Sequence, residues 1–157
     1  MRAVARHLID GLRPPPERLR PAGTSLEGDL EQVARLMLEA ALSPRALALQ
    51  RLVVAESLRF PELAAAVVQA GGREEGAALV VALLRRYPQT SVMAEDDAQF
   101  AAHQFLQMVV SLPQLRAMGL GKPLAPAAIE DWVRRTVTLF LDGCAGPGPQ
   151  GRTQGTS

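Results

Sequence analysis

One cysteine in 157 residues, Cys144, excludes an intramolecular disulfide framework and fits a reducing compartment. Aromatic side chains make up only 4% of the chain, so Ala, Leu and Val must fill most of any core. Lysine occurs once, at Lys122, and 17 Lys plus Arg against 16 Asp plus Glu leave a formal charge of +1. A balance so close to neutral gives no general attraction for phosphate backbones. The local exception, Arg2, Arg6, Arg13, Arg18 and Arg20 against Asp10 and Glu17, reads first as a solvated arginine-rich flank and second as a segment that touches nucleic acid or acidic lipid. No apolar run reaches the roughly 20 residues needed to cross a bilayer, and no signal-peptide core stands between the N-terminal charges. A cytoplasmic protein is expected.

With 48% hydrophobic and 21% charged residues, the chain has the composition of an ordinary globular protein with one sizeable core. Its periodicity is helical almost throughout. Arg2 to Leu12 forms a short amphipathic segment, and Pro14-Pro15-Pro16 then forces an extended stretch to about Gly23. Thr24 or Ser25 can cap a helix in which Leu26, Leu30, Val33, Leu36, Met37 and Ala40 recur at helical spacing. Ser43 and Pro44 mark the start of the next, which Phe60-Pro61 closes. On a helical wheel its Leu47, Leu49, Leu52, Val53, Val54, Leu58 and Phe60 point in almost every direction, which predicts a buried helix. Arg45, Gln50, Arg51 and Glu56 in it then need partners or a cavity, with Arg51 or Arg59 the nearest partners for Glu56.

Pro61 can open a further helix, with Leu63, Ala66 and Val67 inward, that ends at Gly71-Gly72. Glu74 and Glu75 start the next, which runs to Tyr87 before Pro88. After Asp96-Asp97, the positions Ala98, Ala101, Phe105, Met108 and Leu112 alternate three and four apart, as in a helix-packing seam. Pro113 should kink that helix, and Gly119, Gly121 and Pro123 should stop its continuation. A last helix spans about Pro126 to Leu141, with Ile129, Trp132, Val133, Thr136, Val137 and Phe140 along its apolar side. The run from Ala145 to Ser157 is too poor in apolar residues to offset the entropy of ordering. An all-α bundle of six to seven helices is expected, with 1–23 as a connecting helix and Pro-rich loop, 24–145 as the body and 146–157 as a disordered tail.

Catalytic chemistry finds little support. Glu95-Asp96-Asp97 has the position of helix-capping carboxylates, and His7 and His103 have no Cys or carboxylate at metal-ligand spacing. Cys144 has no histidine nearby to activate it, and Gly71-Gly72 lacks the lysine and hydroxyl residue of a phosphate loop. No enzyme, no metal and no cofactor are expected. Binding fits better, because helices packed through alanine-rich faces leave room for an apolar cavity with a few polar groups. Gln50, Glu56, Tyr87, His103, Gln107 and Met108 are the candidate lining residues.

The order and spacing of five segments carry a resemblance: L-S-P-R-A-L-A-L-Q-R-L-V-V-A-E-S-L-R-F-P-E-L (42–63), Q-A-G-G-R (69–73), D-D-A-Q-F-A-A-H-Q-F-L (96–106), L-R-A-M-G-L (115–120) and I-E-D-W-V-R-R-T-V-T-L-F-L-D-G (129–143). Together they resemble the C-terminal effector-binding and dimerisation body of TetR/AcrR-type transcriptional regulators, specifically the AefR-like subgroup. The resemblance implies a homodimer that binds a small apolar effector within this body and controls transcription. It also implies that the two last long helices pair with those of a second copy. Ala98, Ala101 and Ala102 would allow close approach there, while Phe105, Val109, Leu112, Trp132 and Phe140 would supply apolar area.

Such regulators begin with a DNA-reading helix-turn-helix head, and no such unit fits ahead of Leu42. A start site placed too far downstream, a truncated gene or an excised fragment would each account for that, and Met1 to Asp10 looks like the helix that connects head to body. DNA would then be contacted only through a head outside this chain. An alternative is a stand-alone interaction protein that forms heterodimers with intact regulators and inactivates them, since a mixed dimer with one head loses the paired half-site geometry.

Overall fold

The computed structural model describes residues 24–62, 65 and 72–144, and every regular element among them is helical. In chain order these are α1 (Leu26–Ala41), α2 (Pro44–Glu56), α3 (Arg73–Arg86), α4 (Glu95–Leu115) and α5 (Pro126–Cys144), with a π-type turn, Arg116–Leu120, extending α4. The described residues therefore hold five α-helices, not six to seven. The segment expected at Arg2 to Leu12 and the expected tail fall outside them, and of the helix expected from Pro61 to Gly71 only residues 61, 62 and 65 are described, all helical.

Local chemistry sets the helix ends. The Ser25 hydroxyl accepts a hydrogen bond from the Gly28 N–H at 3.1 Å and starts α1. Ser43 works in both directions: its hydroxyl donates to the Ala40 carbonyl at 2.9 Å and accepts from the Ala46 N–H at 3.2 Å. One side chain thus closes α1 and opens α2, with Pro44 in the first turn of α2. Glu74 and Glu75 lie at the start of α3 and Arg85 and Arg86 at its end, which complements the helix dipole at both ends. Arg85 also holds the loop into α4, donating to the carbonyls of Ser91 and Met93 and to Glu95.

Helices α1 and α4 form the central pair, each packed against the other and against both α3 and α5. Leu26, Leu30, Val33, Ala34 and Leu38 of α1 meet Val80, Leu83 and Leu84 of α3, Ala102, Phe105 and Val109 of α4, and Val133 and Val137 of α5 in one continuous core. Phe105 and Phe140 pack at a centroid distance of 4.9 Å with planes tilted by 53°, an arrangement worth about 0.5–1.5 kcal/mol beyond the area buried. Small residues supply the rest, as the low aromatic content requires. Gly76 lies where α3 crosses α4 and α1, and a Cβ there would stand 3.3 Å from both Leu106 Cδ1 and Met37 Sδ.

Helix α2 corrects the sequence expectation. It was expected to be buried, yet Val53 is its only buried residue, while Leu52, Val54, Leu58 and Phe60 at and beyond its end are exposed. The core is already enclosed by the other four helices, so α2 lies at one end of the bundle, touching α1 and the π-type turn. Arg51 is not a partner for Glu56 within the helix. It reaches across to the carbonyls of Ala117 and Met118.

Candidate functional site

The last two helices carry the most unusual local chemistry. Pro113 lies inside α4 and is buried, but α4 continues past it to Leu115. A proline has no N–H, so the carbonyl four residues earlier, on Val109, loses its helical donor. The indole Nε1–H of Trp132 on α5 donates to that carbonyl at 2.9 Å. Beside this bond, Met108 of α4 and Leu124, Ala128, Trp132, Thr136 and Leu139 on or just before α5 line an open groove of about 650 Å³. Asp131 and Arg135 complete the lining, and Asp131 pairs with Arg134 at 2.5 Å and with Arg135 at 3.6 Å. Leu139, at 65% exposure, and Phe100 on the outer side of α4, at 66%, are large apolar side chains facing solvent.

A second, more polar crevice of about 490 Å³ lies between α1 and α5, lined by Gln32, Arg35, Leu36, Glu39 and Glu130. Arg35 there donates to Glu130 at 2.8 Å and to Glu31 at 2.7 Å. The bond to Glu130 is the main reason that its guanidinium titrates above its ordinary value, against the opposing effect of partial burial.

The eight residues expected at an interface between copies separate into two groups. Ala98, Ala101, Ala102, Phe105, Val109 and Phe140 are enclosed in the protomer's own core. Leu112 and Trp132 are half-buried and keep surface to offer. The physical reason is that the strongest apolar stripe of a helix closes its own bundle first, so any surface left for a partner lies beside it. Leu124, Ala128, Asp131, Arg135, Thr136 and Leu139 line the groove and were missed by the sequence analysis. Leu139, an apolar residue off the main stripe of an otherwise amphipathic helix, was the available signal.

The six candidate ligand residues are dispersed. Gln50 and Glu56 are half-buried on α2, and Gln107 is exposed on α4, where it accepts from the Ser111 hydroxyl at 2.7 Å. His103 is half-buried, with Nε2 3.9 Å from a Glu74 carboxylate oxygen on α3. The Tyr87 hydroxyl donates to Asp29 Oδ2 at 2.7 Å, and Asp29 is only 1% exposed. That hydrogen bond, then desolvation and the carboxylate's charge, raise the Tyr87 pKa above its ordinary value. Met108 alone of the six lines one of the two grooves. Among the described residues no group of three His, Cys, Asp or Glu could hold a metal ion, and no helix is long and apolar enough to cross a membrane.

Residues 28–143 match the family of AefR-like transcriptional repressor C-terminal domains. The chain belongs to that family. A TetR-family transcriptional regulator from Mesorhizobium loti, known from a crystal structure, has the same fold as this AefR-like domain, with a TM-score of 0.65 at 22% sequence identity. The superposition covers 90% of this chain and 66% of that one, so the AefR-like chain spans just under two thirds of that relative's length. No curated protein matches the sequence significantly.

Proposed function

We propose that this AefR-like domain is the effector-binding and dimerisation body of a TetR-type transcriptional regulator in the cytoplasm, with the body at 24–145, a connecting segment at 1–23 and a tail at 146–157. The observation that carries the proposal is the open face of α4 and α5. An apolar groove bounded by Met108, Leu124, Trp132 and Leu139 and edged by Asp131 and Arg135 offers an apolar centre with a charged rim, the anatomy of a protein interface. A second copy approaching about a two-fold axis would seat its own α4 and α5 there, through Leu112, Trp132 and the groove residues and not through the enclosed alanine stripe.

A small apolar effector is the proposed ligand, with Gln50, Glu56, His103, Gln107 and Met108 as candidate polar and polarisable contacts. To act, it must bind one arrangement of the helices better than another, because equal affinity for both shifts nothing. Operator DNA would be read by a separate head and not by the matched segment. The protein is proposed to be a regulator and not an enzyme, which accords with its family.

Light scattering coupled to size exclusion tests the central step. The expected result is a dimer that Leu139→Glu converts to a folded monomer, since a carboxylate placed in the groove would lose its hydration on association. A monomeric parent chain, or a Leu139→Glu variant that stays dimeric, would sink the proposal.

A further inference from the structure

Helix α2 is held in an unusual way for an element of 13 residues. It contributes one buried side chain, Val53, and follows α1 after only Leu42 and Ser43. At its near end Gln114 Nε2 of α4 donates to the Ala41 carbonyl at 3.3 Å, which fixes the corner between α1 and α2. Towards its far end the fixing point is Arg51, whose Nη2 donates to the Ala117 carbonyl at 2.9 Å and whose Nε reaches the Met118 carbonyl at 3.5 Å.

Those two carbonyls are where the continuation of α4 runs out. Gly119 has φ 108°, in the left-handed region, and ends the helical path, so the carbonyls just before it have no following turn to supply donors. The C-terminal end of a helix also carries partial negative charge, which favours a cation. A helix-ending basic residue usually comes from the helix itself. Here, neither the last turn of α4 nor the π-type turn contributes a basic cap at Ala117 and Met118, and the guanidinium comes from α2, 66 residues earlier in the chain.

We infer that α2 is a hinged strap, pivoting at Leu42–Ser43 and latched by Arg51 onto the end of α4, so that the position of α2 and the order of the α4 end are coupled. With the latch closed, α2 caps the helix whose neighbouring face forms the groove. With it open, the carbonyls of Ala117 and Met118 turn to water and, among the described residues, α2 keeps the packing of Val53 and its half-buried neighbours and the corner at Ser43 and Gln114. The apolar side chains of Leu52 and Val54 already face solvent in the closed position, so the apolar contact that opposes the swing comes from Val53 and the half-buried Ala46, Leu47 and Leu49. The coupling does not depend on the identity of any effector or on the dimer.

Hydrogen–deuterium exchange on the full chain tests the strap, using Arg51→Met, which keeps an apolar stem but cannot donate, and Arg51→Lys, which keeps the charge but loses the fork. In the Met variant, exchange over 44–56 and over 116–120 should rise together, on the order of tenfold for a lost charge-assisted bond, with a smaller rise in the Lys variant. Exchange over 26–41 and 73–86 should stay as in the parent. Unchanged exchange in the two segments, a rise confined to one of them, or an equal rise across all four would overturn the inference. The last of these would make Arg51 a contributor to global stability and nothing more.

Discussion

Trp132 supplies the hydrogen bond that Pro113 removes from α4: its indole N–H donates at 2.9 Å to the Val109 carbonyl, whose helical donor would have been the missing N–H of residue 113. Either residue alone would be a defect, since an unmatched proline leaves a buried carbonyl without a partner and a half-buried indole N–H needs an acceptor. Together they fix α5 across α4 at a defined height. Trp132→Phe should cost about 2–4 kcal/mol, combining the orphaned carbonyl with lost packing. In a Pro113→Ala background the backbone N–H returns, and the same Trp132→Phe change should cost at least about 1 kcal/mol less. Denaturant unfolding of the four proteins in a double-mutant cycle checks this, and strictly additive costs would show the two residues to be independent.

The single tyrosine makes a second expectation easy to read. Tyr87 donates to the buried Asp29 carboxylate, and ionising the phenol would both break that bond and set two negative charges together. Its pKa is raised in the folded state, so the stability it contributes is fully present below the ordinary phenol value of about 10 and is lost as pH rises through the folded value. Tyrosinate absorbance should therefore titrate above the ordinary value in the native protein and return to it in denaturant. Tyr87→Phe should lower stability at neutral pH, because it removes a donor from a carboxylate that burial keeps from water. A native titration at the ordinary value would contradict the contact.

At Gly76 two effects of similar size oppose each other. Replacing a helical glycine by alanine gains about 1 kcal/mol of helix propensity, while the added Cβ at 3.3 Å from Leu106 Cδ1 and Met37 Sδ must push both aside. Both obstructing atoms are ends of flexible side chains, so Gly76→Ala should lie within about 1 kcal/mol of neutral. Gly76→Leu cannot be accommodated by small shifts and should cost about 1–3 kcal/mol as α3 is levered off α1 and α4. Urea midpoints of the two variants decide it, and equal midpoints would mean that α3 does not approach its neighbours this closely.

Much of this fold was legible residue by residue. Ser25, Ser43, Pro44 and the break at Pro88 are local signals, and each marks the helix end that the structure has. Leu26, Leu30 and Val33 on α1, and Val133, Val137 and Phe140 on α5, repeat at helical spacing and lie in the core. The site was less legible, because periodicity reveals that a face is apolar and not what covers it. Phe105 and Val109 therefore looked available to a partner although they are buried in the core with residues of α1 and α5 of the same chain. Arg51 could not be matched to Ala117 and Met118 from spacing, since that bond depends on where the bundle places two distant helix ends. The Trp132–Val109 bond follows from Pro113 by backbone chemistry, yet which donor would answer it needed the packing of α5 on α4.

Arg35 offers the contrast of a well-formed but exposed ion pair. It joins α1 to α5 through Glu130 and pairs with Glu31 on its own helix, with side-chain exposures of 43%, 57% and 20% respectively. Exposed pairs gain little from charge attraction in water and lose side-chain entropy in forming, so geometry alone overstates their worth. Glu130→Gln should lower stability by less than about 1 kcal/mol, and the loss should shrink further in high salt, where the pair is screened. Unfolding at two ionic strengths checks both parts. A loss that exceeds that of Trp132→Phe, or one that grows with salt, would mean that α5 is held on α1 by this pair and not by the apolar contacts of Val133 and Val137.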